Sequence, residues 1–462
     1  MDFPIFHLDY FGNRLFVAVV AILHVFITHG LAVGLMPIVA WLEWKGTKDP
    51  SRPWDELAYK ILKIAFIITT TVGALTCVGI WFAASLSNPY SIGSLIRVFF
   101  WAWFIEWIVF ITEVCLILLY YQTWKTWQGE KKGRHLRIGI VLAVFSWITM
   151  SIIVAILAFM MDPGSWHEHR SLLSAFFNPI YLPQLAFRTS LALVMASCNA
   201  MVMSCLLLRR NDPFRVEALR FLARVCLFAL PFLVVSASWY YGVIPQNMKQ
   251  NIPVALATQA FSDWYTQLKY LGVFVIGLIA VYAFTMAFTK RPLAAVISFV
   301  PSLLACSLLA SVERIREFVR KPFVIGEYMY ANGLLKRDYP LYQRDGILAH
   351  SSFVRHKAVD PSDLPGTGRD VFAIACTRCH TTGGVNGVVD KFETLFGRDT
   401  WDEAKIVSYL SNMHGARPFM PPFPGNDAEM KALGAYIKSL QKNPRALYGA
   451  QDGGISIEDT AK

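Results

Sequence analysis

Charge is scarce in this chain. Only 16% of its 462 residues are charged, against about a quarter in a typical soluble domain, and that shortage excludes an ordinary soluble fold. The rest agrees: 55% of residues are hydrophobic and 14% aromatic, with a mean hydropathy of +0.43, so a bilayer is the main solvent. Histidine is absent between positions 170 and 349, which removes the commonest haem and metal ligand from that stretch. A cleavable leader is not apparent either. The first apolar stretch is too long and lacks a small-residue cleavage site, so it is expected to remain as a signal anchor.

What is present are long apolar runs. Windows of about 20 residues place eight spans near 15 to 43, 60 to 84, 96 to 121, 137 to 161, 182 to 208, 221 to 243, 267 to 289 and 293 to 312. An even count puts both termini on one side. Alternate loops are strongly basic, with Lys45, Lys48, Arg52, Lys60 and Lys63, then Lys125, Lys131, Lys132, Arg134 and Arg137, then Arg209, Arg210, Arg215, Arg220 and Arg224, then Lys290 and Arg291. The opposite set holds Arg97, Arg170 and Lys249. Basic loops stay in the cytoplasm, so both termini are expected outside, in the periplasm of a bacterial inner membrane. The net charge of +11 is then mostly topology, and no nucleic-acid partner is expected.

Near the C-terminus stands Cys376-Thr-Arg-Cys379-His380. It supplies two thiols for haem vinyl groups and an adjacent imidazole for the iron. A bare CxxC also suits a redox dithiol or half a zinc site, but the following His favours covalent haem c. Bacterial haem attachment occurs outside the cytoplasmic membrane, where the basic loops independently place this segment. Residues 336–365 read as a tether, punctuated at Pro361, Pro365, Gly366 and Gly368. Residues 366–445 resemble a small class I cytochrome c, followed by a tail at 446–462. His380 is the proximal ligand of that domain. Met420 in Met420-Pro-Pro-Phe423 is the expected distal one, with His414 as competitor, and Met413 reads as core. Met430, Leu433, Ile437 and Leu440 recur at helical spacing to cover the haem. The other six cysteines, Cys77, Cys115, Cys198, Cys205, Cys226 and Cys306, lie in predicted spans and read as small core residues.

Ionisable groups inside apolar spans cost several kcal/mol unless paired or bound to metal. His24 and His29 lie in the first span, Glu106 and Glu113 in the third, and Glu313 and Glu317 end the eighth among Arg314, Arg316 and Arg320. Counted from the outer face, His24 and Glu106 each sit roughly 15 Å deep at 1.5 Å per residue, and Glu317 lies at the outer mouth. The three are expected to gather in the outer half of the bundle. His29 falls on another helix face, His7, His167 and His169 read as outer loop residues, and His135 reads as structural.

These residues carry a resemblance to subunit I of the cytochrome bd oxidases over residues 10 to 335. Leu23-His24 through Gly34 resembles the family's first helix, where one His ligates a high-spin haem. Phe104-Ile-Glu106 is similar to the third-helix Glu beside that haem, with Glu113 in place of the proton-conducting Glu, at a spacing of seven rather than eight. Met161-Asp-Pro163 and Asn178-Pro179 match turns of the family. Arg316-Glu317-Phe-Val-Arg320-Lys-Pro322 resembles the motif whose Glu ligates the other high-spin haem. The low-spin haem ligands are missing: Arg188 or Phe187 stands at the His position, and Leu271 and Val273 near the Met position. The long quinol loop and the ninth helix are missing too.

The resemblance implies an all-α fold, with a transmembrane haem-binding bundle over 1–335 and the cytochrome c domain beyond. It implies one covalent haem c and two non-covalent b- or d-type haems, with His24 and Glu317 as iron ligands, Glu106 and Glu113 as catalytic carboxylates, and Arg320 and Lys321 at haem propionates. A second membrane subunit of the bd subunit II type is implied as partner, with a periplasmic cytochrome or another electron-donor subunit. Two functions are open. One is a terminal oxidase subunit reducing dioxygen with electrons entering through haem c. The other is a non-catalytic subunit relaying electrons between quinol and a periplasmic cytochrome.

Overall fold

The structure, a computed structural model, describes residues 3–256, 265–288, 295–398 and 400–441. Lys290, Arg291 and the tail at 446–462 lie outside the described residues. The chain divides into two compact units. One comprises Ala21–Val78 and Ile96–Val319, the other Met1–Val20, Gly79–Leu95 and Arg320–Lys462.

Among the described residues eight helices are long and apolar enough to cross a membrane: Asn13–Lys48, Trp54–Ser87, Phe100–Thr123, Gly129–Met161, Tyr181–Leu207, Pro213–Val243, Tyr270–Phe288 and Ile297–Val319. They are called spans one to eight. Each expected span falls on one of them, and several helices run past their apolar windows, as span one does through Lys45 to Lys48. In a bilayer no water competes for the backbone, so continuing a helix is the cheapest way to satisfy its amides. The same constraint lets Pro231 and Pro301 sit inside spans six and eight.

Span five is the most buried and span three the least. Span five packs against spans six, eight and one, and its small residues Ala192, Ala196, Ser197, Ala200 and Ser204 allow that crowding. Gly34 makes the closest approach: a Cβ there would lie 2.1 Å from the Ala192 carbonyl oxygen. Spans one and two each contain a π-helical turn, Thr28–Val33 and Thr69–Gly73, and these two turns pack together. A π turn shifts the face presented by the following residues, and such turns are frequent at functional sites.

Between spans four and five the chain reverses at two motifs noted in the sequence. Asp162 Oδ1 accepts from the Gly164 amide at 2.9 Å, and Gly164 adopts φ +55° because a Cβ would lie 2.7 Å from Pro179. Asn178 Nδ2 donates to the carbonyls of Ala155 (3.1 Å) and Ala175 (3.0 Å), closing the turn onto span four.

In the other unit helices Leu364–Ala375 and Asp427–Ser439 cross with no side chain between them, since a Cβ on Gly368 would lie 2.0 Å from the Ala432 carbonyl oxygen. Residues 336–365, expected as a tether, are folded into this unit. Tyr339, Ile347 and Leu348 join Phe372, Trp401, Leu433 and Tyr436 in its core. The Asn426–Glu429 capping box starts the last helix, and buried Glu429 also accepts from the amides of Ile347 and Leu348 at 2.9 Å. One carboxylate thus holds the supposed linker to the terminal helix. A short antiparallel pair, Phe323–Ile325 with Met329–Tyr330, precedes it.

Gly34→Val is expected to destabilise the bundle by about 1–3 kcal/mol or more, because backbone must move. Thermal melts in detergent check this, with Gly277→Val as control, since nothing lies within 4 Å of a Cβ at that position.

Candidate functional site

The CxxCH motif begins where helix Leu364–Ala375 ends, with Cys376 as its C-cap. A tight turn follows, in which the amides of Cys379 and His380 both donate to the Cys376 carbonyl, at 3.0 and 2.9 Å. His380 Nδ1 lies 3.0 Å from the Asn386 carbonyl oxygen. A carbonyl only accepts, so Nδ1 carries the hydrogen and Nε2 keeps its lone pair for a metal. Asn386, at φ +59°, also donates from Nδ2 to the Cys379 carbonyl at 2.7 Å. Burial holds the His380 pKa down to about 4, which keeps the ring in the neutral form that ligates. Burial pushes the Cys376 thiol up to about 12. Both motif cysteines are free thiols.

The N-terminal segment completes this site. His7, expected as a solvated loop residue, is buried, and its Nδ1 donates to the Thr377 carbonyl inside the motif at 3.1 Å. The Val385 amide donates to the Tyr10 carbonyl at 2.8 Å, and Thr382 Oγ1 donates to Asp9 at 3.0 Å. Opposite in sequence lies the methionine loop. His414 Nδ1 donates to the Met420 carbonyl at 2.5 Å, and the Met420 amide donates to the Arg417 carbonyl at 2.8 Å. His414 therefore braces the backbone that carries Met420. A cleft there is lined by Met413, His414, Pro422, Phe423 and Met430. Leu433, Ile437 and Leu440 are buried in the core of the unit. Two cysteines outside any disulfide, next to a neutral imidazole whose Nε2 carries the lone pair, fit a covalent haem.

In the bundle, His24 Nδ1 lies 3.2 Å from Thr76 Oγ1. The Thr76 hydroxyl spends its proton on the carbonyls of Val72 (2.8 Å) and Gly73 (3.0 Å), so its oxygen accepts from His24 Nδ1 and the lone pair is on Nε2. This suits a non-covalent haem. His29, one turn onward, is engaged differently: its Nε2 accepts from Arg188 Nη1 at 3.3 Å, and it is buried. Arg188, at the position where the resembled family has its low-spin ligand, is buried and paired with Glu313. Glu313 is held in turn by Arg316 at 3.1 Å. Glu313 and Arg316 of span eight and Arg188 of span five thus form an ion network between the two spans.

Glu106 and Glu113 lie seven residues apart on span three, hence on one face and about 10.5 Å apart along the axis. Glu113 accepts from Ser146 at 2.6 Å and Thr149 at 3.1 Å on span four. Glu106 is half-buried and has no hydrogen-bond partner among the described residues. Glu317 is half-buried on span eight, one turn past Glu313. His24, Glu106 and Glu317 thus stand on three different spans. Arg320 is buried, with Nη1 donating to the Val324 carbonyl at 2.6 Å, and Lys321 is half-buried. His167 packs on Trp166 and His169 is exposed.

Sequence reasoning missed Glu43. It is fully buried at the end of span one, with His135, Tyr120 and Lys132 around it. It stands among Trp41, Trp44 and Lys45, a composition typical of a membrane interface and no sign of burial. The one trace in the sequence is its partner His135, a histidine set among Lys131, Lys132, Arg134 and Arg137.

A family model described as cytochrome bd terminal oxidase subunit I matches residues 13–262, more than half of the chain. Another, described as cytochrome c oxidase, cbb3-type, subunit III, matches residues 363–437. Among solved structures, the bd oxidase from Geobacillus thermodenitrificans is similar with a TM-score of 0.55 at 16% identity, over 69% of this chain and 89% of that chain. That likeness is one of fold. No curated protein matches.

Burial lowers the His7 pKa below its ordinary 6.5. The unfolded chain then binds a proton that the folded unit refuses, so stability is complete above that pH and is lost as pH falls below it. Melts followed at the Soret band are expected to fall between pH 7.5 and 5.5, and His7→Asn is expected to flatten that fall. Arg188→Met, which leaves Glu313 with Arg316 as its one remaining cationic partner among the described residues, is expected to cost about 3 kcal/mol. Adding Glu313→Gln is expected to recover more than half of it in the same detergent melts.

Proposed function

The chain belongs to the cytochrome bd terminal oxidase subunit I family, and from that premise we propose that it reduces dioxygen with electrons received through a haem c carried on the same chain. It is a membrane respiratory cytochrome with a bd-type part and a cytochrome c part. The observation carrying the proposal is that His24 and His380 share one arrangement, with Nδ1 spent on an oxygen and Nε2 open to iron. When bound, the haem c passes single electrons and the b- or d-type haems of the bundle bind and reduce dioxygen.

The residues divide the work. Cys376 and Cys379 would carry the thioether links, His380 and Met420 would ligate the haem c iron, and His414 steadies the Met420 loop. His24 and Glu317 would hold the two non-covalent haems, with Arg320 and Lys321 neutralising their propionates. Glu106, with no hydrogen-bond partner among the described residues, is the carboxyl that donates a proton in the bundle. Glu113, held by Ser146 and Thr149, resupplies it. The locked Arg188–Glu313 pair supports the reading that no low-spin haem sits on span five. The electrons then come from a periplasmic cytochrome or donor subunit rather than from quinol through that haem. The basic loops put both termini and the haem c on the periplasmic side of a bacterial cytoplasmic membrane. A second membrane subunit of the bd subunit II type accompanies the chain.

The test is oxygen uptake by the purified complex with a reduced soluble cytochrome as donor, together with carbon monoxide difference spectra. Uptake and a shifted membrane haem are expected, as are two non-covalent haems for each haem c in pyridine haemochrome spectra. His24→Ala is expected to lower uptake by about 100-fold or more. Thr76→Val, which frees only the outer imidazole nitrogen, is expected to lower it by about 10-fold. Haems that relay electrons without any oxygen uptake or carbon monoxide shift would replace this reading with the electron-transfer one.

A further inference from the structure

At the end of the bundle where the basic loops lie, four spans converge on one carboxylate. Glu43 of span one is fully buried. Its Oε1 lies 2.6 Å from His135 Nδ1 and 3.0 Å from Lys132 Nζ, both on span four. Its Oε2 accepts from the Tyr120 hydroxyl of span three at 2.5 Å. Lys132 also contacts Asp55 of span two at 2.6 Å, and Asp55 accepts from Trp124 Nε1 at 3.3 Å.

The geometry fixes a proton. His135 Nε2 lies 2.9 Å from the Tyr120 carbonyl oxygen, an acceptor only, so Nε2 carries a hydrogen. Nδ1 faces a carboxylate oxygen at 2.6 Å, a distance that needs a hydrogen between the two atoms. Whether that hydrogen belongs to the imidazole or to the carboxyl, the pair holds one proton more than a bare carboxylate and a neutral ring. With it, Glu43, His135, Lys132 and Asp55 sum to zero charge. Without it, a negative charge is left in a site closed to water.

A route to the surface exists. Side-chain exposure falls from 33% at Asp55 to 10% at Lys132 and 0% at Glu43. A route inward is aligned with it. Tyr120, Glu113 and Glu106 recur every seven residues on span three, so all three share one face, with steps of about 10.5 Å. Opposite Tyr120, span four has Gly139, where a Cβ would lie 2.6 Å from the tyrosine oxygen. Ile117, between Glu113 and Tyr120 in the sequence of span three, is buried.

We propose that Glu43 and His135 form a proton-holding pair that takes protons from the basic-loop side and releases them toward Glu113. The inference rests on the oxygen-reducing reading. Each dioxygen converted to two waters consumes four electrons, from the reduced cytochrome donor, and four protons. The pair supplies protons one at a time and is refilled from solvent through Asp55 and Lys132.

The test uses the whole complex in proteoliposomes with a pH-indicating dye, during anaerobic reduction and during oxygen turnover. Glu43→Gln keeps the shape and removes the exchangeable proton. It is expected to slow both proton and oxygen uptake by about 10-fold or more with haem spectra unchanged, and the slowing is expected to ease at acid pH. Glu43→Asp is expected to restore part of the rate. A haem-loaded Glu43→Gln enzyme with wild-type uptake and pH profile overturns the inference and leaves the oxidase reading intact. Wild-type protein that consumes no oxygen, yet takes up protons on reduction in a Glu43-dependent way, overturns the oxidase reading instead. If Glu43→Gln does not assemble, infrared difference spectra of wild-type protein labelled at glutamate decide: a carboxyl band moving with haem reduction and lost in His135→Gln supports the pair, and its absence overturns it.

Discussion

An ionisable group inside a bilayer costs several kcal/mol unless something meets it, and this chain is organised around that penalty. Arg188 is met by Glu313 and His29, Glu43 by His135, Tyr120 and Lys132, and Glu113 by two hydroxyls. These matched groups stitch spans one, three, four, five and eight together, in a solvent where apolar contact between helices drives little association. Against that background Glu106 stands out, since it bears the penalty without a protein partner among the described residues.

Four histidines differ in which ring nitrogen their hydrogen bonds occupy. His24 and His380 each spend Nδ1 on an oxygen and keep Nε2 open. His29 has Nε2 taken by an arginine, and His135 has both nitrogens engaged. The difference is one of second partners, which sequence spacing does not reveal. The two π turns add to it, because His24 lies just before one, and Thr76 just after the other.

The parts of this protein legible in its sequence are those governed by local rules. Eight spans follow from twenty-residue apolar windows, and the haem c motif follows from five adjacent residues. The Glu43 cluster was not legible, because it joins residues 77 to 92 positions apart across three helices. Nor was the fate of residues 336–365, where proline and glycine suggested a tether. Composition there is that of a linker, but Glu429, some 80 residues later, binds its backbone. Arg188 was conspicuous in the sequence as a charge inside an apolar span, while its partner on span eight lay 125 residues away.

The hydrogen bonds from His7 to Thr377 and from Val385 to Tyr10 have a consequence for how the protein is made. Residues 7–10 and 377–385 are parts of one folded unit, so the earlier segment lacks these partners until the eight spans between them have been made. Closing a loop of that length carries an entropy cost that grows only slowly with length.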